Sequence, residues 1–251
     1  MISKNKIKFI QSLASKKERE NSGLFIAEGE KLTQELIKAN YEIHTIISTN
    51  DDFPLKNSIN SEFISVSENE MKKLSLLKTP SPILAIIKQP ILSSIPKTLP
   101  KDLLLVLDSI QDPGNLGTII RLASWFGIPT IVCSENCVDC FNPKVVQATM
   151  GAIAHVNLIY TNLALFLNQA LSENRMIYGT FLDGENIYTS QLDTNGIIIL
   201  GNEGKGISDE VASYISKKIN IPPFNKNGET IESLNVSVAA SIVCSEFRRR
   251  N

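Results

Sequence analysis

The sequence predicts an α/β protein in two parts, a small N-terminal α/β domain followed by a larger C-terminal domain built on a mainly parallel sheet. Three observations predict it. Short apolar runs bounded by turn residues recur along the chain, helical segments separate most of them, and a proline-rich stretch interrupts the pattern near residue 90. With 251 residues, 43% of them hydrophobic, the chain can bury more than one core, since a domain usually takes about 100 to 200 residues.

Taken in order, the first part opens with a basic amphipathic stretch to about Glu20. A strand at Leu24 to Ala27, a helix from Gly29 to Ala39 and a strand at Ile43 to Ser48 follow. A strand near Phe63 to Val66, a helix from Glu68 to Leu77 and a strand at Ile83 to Ile87 complete it. Between Gln89 and Pro100, three prolines remove backbone donors and two serines add turn chemistry, so neither helix nor sheet is expected to run through. The domains therefore divide as 1–90, a linker at 91–101, and 102–251.

From Asp102 the pattern restarts, with strands at Leu103 to Leu107, Thr130 to Cys133, Val156 to Ile159, Met176 to Thr180, Ile197 to Leu200 and Ile219 to Ile221. Helical segments fall at 115–126, 162–173, 208–216 and 233–248. Strands this uniformly apolar are covered on both faces, which is the habit of parallel sheets. Ligands of such sheets bind beyond the carboxyl ends of the strands.

Composition narrows the function classes. The N-terminus is charged, and no later segment approaches the roughly 20 uninterrupted apolar residues of a membrane span, so a soluble, cytoplasmic protein is expected. Cys133, Cys137, Cys140 and Cys244 are too few for a disulfide framework. Three of them lie close together, which raises zinc, but no second CxxC or paired histidine follows; structural thiols and no metal are the expectation. The formal net charge is −1, yet Lys4, Lys6, Lys8, Lys16, Lys17 and Arg19 face only Glu18 and Glu20 within the first 20 residues. That segment reads either as a solvated helix face or as a phosphate-binding surface.

Three loops at strand ends carry the chemistry. In the first, Pro113-Gly114 turns the chain and Asn115 is a natural N-cap for a helix that turns Leu116, Ile119, Ile120, Ala123 and Phe126 inward. Gly117, Thr118, Arg121, Ser124 and Trp125 share a different face. Arg121 there reads either as a surface arginine in a solvent salt bridge or as a planar fork for phosphate or carboxylate. The second, Leu200 through Gly201-Asn202-Glu203-Gly204-Lys205-Gly206 to Ser208, has glycines that permit close approach of a ligand or positive φ. Its spacing fits neither phosphate-loop pattern, and Glu203 would repel phosphate. The third runs from Ile221-Pro222-Pro223-Phe224 through Asn227-Gly228 to Ser233-Leu234-Asn235 and Ser237. Ser233 or Asn235 can cap the last helix, whose Arg248, Arg249 and Arg250 complement its C-terminal dipole. Three small polar side chains exceed what capping needs.

Together and in this order, Asn115 to Arg121, Gly201-Asn202-Glu203-Gly204 and Ser233-Leu234-Asn235-Val236-Ser237 resemble the three motifs of the SpoU (TrmH) family of RNA ribose 2'-O-methyltransferases, in the SPOUT superfamily. The resemblance covers roughly residues 102–250. Lys16-Lys17-x-Arg19 with Gly23 to Gly29 is more loosely similar to the family's N-terminal substrate-binding domain, of L30e-like fold. The resemblance implies a deep trefoil knot in the C-terminal domain, a homodimer, and S-adenosylmethionine bound in the knot. It implies cofactor contacts from Leu200, Gly201, Asn202, Gly204, Ile221, Pro223 and Leu234, with Thr180 at the neighbouring strand end. The loop from Pro222 to Glu232 is longer than is common in the family, and Pro223-Phe224 departs from its usual residues.

The implied reaction is an in-line attack of a ribose 2'-oxygen on a sulfonium methyl, so the protein's tasks are alignment and activation of a weakly acidic hydroxyl. Arg121 is the expected catalytic residue, with Asn115, Glu203, Ser233 and Asn235 orienting the ribose and supporting the loops. Arginine side chains titrate above about 12, which favours a cation that clamps phosphate; the family proposal is a general base activated by the RNA phosphate. Lys4, Lys6, Lys16, Lys17 and Arg19 would add phosphate contacts. Large-subunit ribosomal RNA is expected over transfer RNA, and a non-catalytic RNA-binding protein of the same fold is the rival reading.

Overall fold

The computed structural model describes residues 2–50, 61–224 and 233–249. Two compact units emerge, one comprising Met1–Ile91 with Asp139–His155, the other Leu92–Val138 with Val156–Asn251. The segment 139–155, grouped by sequence with the second domain, thus clusters with the first unit.

The first unit begins with α1 (Lys4–Ser12) and α2 (Lys16–Ser22), capped by Ser3 at the front and Gly23 at the back. Among the described residues four strands form its sheet: β1 (Leu24–Glu28), β2 (Ile43–Ser48), β3 (Glu62–Ser65) and β4 (Ile83–Lys88), in the order β1-β4-β2-β3. β4 runs antiparallel to both neighbours, while β2 and β3 are parallel. The helix α3 (Glu30–Lys38) links β1 to β2, and α4 (Glu68–Leu74) links β3 to β4. A capping box starts α4: the Ser67 hydroxyl accepts from Glu70 N, and the Glu70 carboxylate accepts from Ser67 N.

Both faces of this sheet are covered. Leu24, Ile26, Ile47, Leu84 and Ile86 pack with Ile10, Leu13, Met71 and Leu74 of the helices and their ends. On the opposite face, Phe25 lies 5.0 Å from Phe141 and 6.3 Å from Tyr41, centroid to centroid. Phe141 precedes α6 (Pro143–Thr149), a helix that sequence reading did not anticipate. Its start signal was nevertheless present, with Asn142 capping Lys144 N and Pro143 in the first turn.

In the second unit six strands pair entirely in parallel: β5 (Leu104–Leu107), β6 (Thr130–Ser134), β7 (Asn157–Thr161), β8 (Ile177–Asn186), β9 (Ile197–Leu200) and β10 (Lys217–Asn220), ordered β10-β8-β9-β5-β6-β7. One face buries Leu104, Val106, Val132, Ile159, Ile177, Ile197 and Ile199 under α7 (Leu163–Ser172) and α8 (Asp209–Ala212). Over the other lie α5 (Pro113–Trp125) and α9 (Val236–Arg249), where Phe247 meets Tyr178 edge-on at 5.1 Å. Strand order reverses between β9 and β5, so the crevice beyond Leu107 and Leu200 is the place where such a sheet admits ligands.

Three local expectations change. The N-cap of α5 is Asp112, whose carboxylate accepts from Asn115 N at 2.8 Å, and Pro113 takes the first helical position. Asn115 thus sits inside the helix with its side chain free for other work. Second, α8 covers only four of the residues expected to be helical, because the chain turns at Ser213 to pack Tyr214 and Ile215 on the core. Third, β8 runs past Thr180 to Asn186, after a register break opposite Lys218 and Ile219. Asn220 Nδ2 closes that break by donating to the carbonyls of Phe181 and Leu182.

Candidate functional site

The carboxyl ends of β5 and β9 carry two of the three loops, and α9 brings the third. After β5, Asp108 leads into Ser109, a non-glycine residue held at φ +59°. The loop after β9 folds back on itself as an isolated antiparallel bridge between Asn202 and Gly206, with both backbone hydrogen bonds at 2.9 Å. A Cβ on Gly201 would fall 2.2 Å from Gly206 C and 2.3 Å from Ile207 N. Glycine is needed there because the returning strand crosses it. Gly206 takes φ +70° at the turn. Gly204 differs from both, since among the described residues a Cβ there would meet nothing nearer than Asn202 Oδ1 at 3.8 Å.

Side chains from all three loops join in one hydrogen-bonded line. Asn115 Nδ2 donates to Glu203 Oε1 at 2.9 Å, and Asn115 Oδ1 accepts from Asn235 Nδ2 at 3.0 Å. Asn235 Oδ1 in turn accepts from Ser237 N at 2.9 Å and Ser237 Oγ at 2.7 Å, which caps α9. Both amide orientations follow from the ends of the line: an ionised carboxylate only accepts, and a backbone N–H only donates. The structure therefore brings together Asn115, Glu203 and Asn235, residues 120 positions apart at the extremes.

Arg121 stands exposed on α5 and makes no hydrogen bond or ion pair with another described residue. Around it, Thr118 and Trp125 are exposed as the helical period requires, Trp125 to 85%, but Gly117 is buried. Ser233 and Leu234 are exposed just ahead of α9. Thr180 lies beside Leu200 across the β8–β9 ladder, where Gly179 pairs with Ile199, and its hydroxyl donates to Ile199 O at 3.2 Å. Ile221 and Pro223 follow the end of β10. Asn227, Gly228 and Glu232 of the same loop lie outside the described residues, as does Arg250.

Asn202 organises its loop. Its Oδ1 accepts from Gly204 N and Lys205 N at 3.0 and 3.1 Å, while its Nδ2 donates to Ser109 O at 2.8 Å. Arg248 and Arg249 lie in the last turn of α9, where they complement its dipole, and Arg248 also donates to Phe126 O and Gly127 O at the end of α5. Arg249 pairs with Glu246 at 2.8 Å.

Within the first unit, Lys4, Lys16 and Lys17 are exposed. Lys6 is half-buried and bound to Glu62 at 2.6 Å, and Lys16 comes within 3.7 Å of Glu20. Arg19 does not join this surface. It is 1% exposed, binds Asp139 Oδ2 through Nε and Nη2 at 3.0 and 2.6 Å, and donates from Nη1 to the carbonyls of Leu13 and Ala14. Its guanidinium holds the α1–α2 turn and is unavailable to phosphate. All four cysteines are buried; Cys137 donates to Leu107 O at 3.3 Å, and burial pushes Cys244 up to about 12. Among the described residues, no cluster of His, Cys, Asp or Glu is placed to hold a metal ion, and no helix is long and apolar enough to cross a membrane.

Comparison with known proteins agrees with this geometry. The profile of the SpoU rRNA Methylase family matches residues 102–245, and that of the MRM3-like substrate binding domain matches 4–85. The 23S rRNA (guanosine(2553)-2'-O)-methyltransferase RlmP of Bacillus subtilis is 29% identical over 245 residues, 97% of this chain and 96% of its own. A TrmH-family protein from Porphyromonas gingivalis has the same fold, with a TM-score of 0.86 and 37% identity over 100% of both chains. The AdoMet-bound rRNA methyltransferase of Sinorhizobium meliloti gives 0.84 at 25% identity, covering 100% of this chain and 96% of that one. With three motif segments meeting at one sheet edge and a family profile spanning more than half of its length, the chain belongs to the SpoU rRNA methylase family.

Proposed function

We propose that this chain transfers a methyl group from S-adenosylmethionine to a ribose 2'-oxygen of ribosomal RNA, large-subunit RNA being favoured over transfer RNA. One observation carries the reading: the line Glu203–Asn115–Asn235 ties three loops together at the carboxyl edge of the sheet, while Arg121, on the same helix as Asn115, is exposed and pairs with no other described residue. The name of the Bacillus subtilis relative supports both the reaction and the class of RNA.

The residues present fit the cofactor. Among the described residues none crowds a Cβ at position 204, so a ligand has room to pass close to the backbone there. Thr180, Leu200, Gly201, Asn202, Gly204, Ile221, Pro223 and Leu234 would hold S-adenosylmethionine. When bound, it supplies an electrophilic methyl group on a sulfonium. Asn115 and Asn235 fix Glu203 and the start of α9, and with Ser233 they orient the ribose. Arg121 clamps the RNA phosphate and, as a cation, lowers the cost of the charge that develops on the 2'-oxygen. Lys4, Lys16 and Lys17, with a smaller share from the paired Lys6, supply salt-sensitive attraction to RNA. Residues 1–90 add RNA affinity outside the site, and residues 102–251 carry methyl transfer together with the RNA contacts made at the site itself. The trefoil knot, a homodimer and a cytoplasmic location complete the reading.

The test is transfer of labelled methyl from S-adenosylmethionine to ribosomal and transfer RNA isolated from cells lacking the gene, with 2'-O-methyl mapping of the product. Label at one ribose of large-subunit RNA is expected. RNA binding without label in either RNA would favour the non-catalytic reading.

A further inference from the structure

The corner at the end of β5 contains a buried carboxylate that the roles above do not use. Asp108 is 4% exposed, and no cation among the described residues pairs with it. A carboxylate in such surroundings is costly unless hydrogen bonds satisfy it. Its Oδ2 accepts from Ser208 N at 2.8 Å and Ser208 Oγ at 2.7 Å, and its Oδ1 accepts from Ser109 Oγ at 3.1 Å. Its own N–H donates to Leu200 O at 2.9 Å, so the same residue grips the strand before the glycine loop and the residue after it.

Two features show that this clasp is maintained against local preference. Ser208 is the N-cap residue of α8, yet its side chain caps nothing and is given to Asp108. Next door, Ser109 sits in the left-handed region, a conformation unfavourable for a residue with a side chain. In that conformation its carbonyl receives Asn202 Nδ2, and its N–H donates to Ser134 Oγ at 2.8 Å. The loop from Gly201 to Ser208 is thereby fastened to the β5 corner near both ends, by Asn202 and by Ser208. Glu203 lies between the two fastenings.

From this we infer that Asp108 is a positioning residue for the cofactor: through Ser208 it presets the Gly201–Ser208 loop in the form that receives S-adenosylmethionine. The inference rests on the functional reading above. A loop set beforehand spends less of its binding energy on ordering, so the clasp acts on affinity and leaves the chemical step to the residues around Arg121.

The experiment compares wild type with Asp108→Ala, Ser208→Ala and Ser208→Thr in the full chain. Calorimetry measures S-adenosylhomocysteine binding, steady-state methylation of ribosomal RNA is followed as S-adenosylmethionine is varied, and amide hydrogen exchange is read at Gly204 and Lys205. Asp108→Ala and Ser208→Ala should weaken binding about tenfold and raise KM for the cofactor similarly, with kcat within about twofold. Exchange at the two amides should quicken, and Ser208→Thr, which keeps the hydroxyl, should restore binding to within about threefold of wild type. Equal impairment of the Thr and Ala variants would overturn the inference, as would a fall in kcat at unchanged KM, or wild-type binding by Ser208→Ala. If the wild type itself binds no cofactor, the functional reading fails; unchanged exchange in Asp108→Ala would then separately dispose of the clasp.

Discussion

Gly201 and Gly204 stand three residues apart in one loop but answer to different demands, and replacing each by alanine separates them. At Gly201 the new Cβ would lie 2.2 Å from Gly206 C and 2.5 Å from Gly206 O, both backbone atoms that cannot rotate away. Carbon atoms in contact prefer about 3.5 to 4.0 Å, so the returning strand must retreat by more than an ångström. The hydrogen bonds between Asn202 and Gly206, both 2.9 Å, cannot survive that shift. At about 1 kcal/mol net for each bond and about 1 kcal/mol or more for overpacking, Gly201→Ala costs about 3 kcal/mol. For a chain of this size that is a fall in thermal midpoint of roughly 6 to 12 °C. Among the described residues Gly204→Ala meets only Asn202 Oδ1, at 3.8 Å, and should leave the midpoint unchanged or slightly raised. The added methyl nevertheless stands where the cofactor is proposed to pass, so its affinity should fall at least about tenfold, about 1.4 kcal/mol. Calorimetric titration with S-adenosylmethionine alongside thermal melts gives both quantities. A Gly201→Ala protein that melts with the wild type would refute the steric reasoning; a Gly204→Ala protein that binds the cofactor normally would refute the ligand reasoning.

Arg121→Lys should lose most methyl transfer while keeping cofactor affinity, because an ammonium lacks the planar fork; near-normal turnover would remove Arg121 from its role. Removing Arg19 strands Asp139 and two carbonyls, so Arg19→Ala should cost about 3 to 5 kcal/mol in urea unfolding where Lys17→Ala costs little, and a loss below about 1 kcal/mol would contradict its structural assignment. Replacing Lys4, Lys16 and Lys17 together by alanine should flatten the salt dependence of RNA binding by about two to three in log–log slope, and an unchanged slope would place the RNA elsewhere. The Glu70 carboxyl is held below its ordinary value of 4.5 by the backbone N–H groups of Ser67 and then Ile2. A lowered carboxyl stabilises the fold above its ordinary value and loses that effect as pH falls through the lower one. The stability gap between wild type and Glu70→Gln should therefore be widest near neutral pH and close in acid; a gap independent of pH would exclude the carboxylate as its cause.

The sheet of the second unit was legible because its central strands are buried on both faces, and Leu104–Leu107 or Ile197–Leu200 can be little else. Arg121 on an exposed helical face followed from period alone. Other features depend on partners that a linear reading cannot see. Arg19 looks like one more basic residue until Asp139, 120 positions away, meets it inside the fold. The α6 helix escaped notice because its stretch is short and mixed in character, although Asn142-Pro143 marks its start. The cap of α5 could have been read correctly: proline favours the first helical turn, which assigns the cap to Asp112 and releases Asn115. The extension of β8 beyond Thr180 depends on a register break closed by Asn220, a long-range arrangement with no local signature.

The line from Glu203 to Ser237 has a direction, and that direction makes it vulnerable to chemistry as well as to mutation. Each of its two amides must present nitrogen towards Glu203 and oxygen towards α9. Hydrolysis of either amide to a carboxylate removes scarcely any volume but replaces the donor with an acceptor, so two electron-rich oxygens face each other where a proton had joined them. A protein aged in this way would keep its hydrophobic cores while the three loops lost their common anchor. Deamidation at Asn115 or Asn235 would thus undo the edge where the three loops meet before it unfolded the rest.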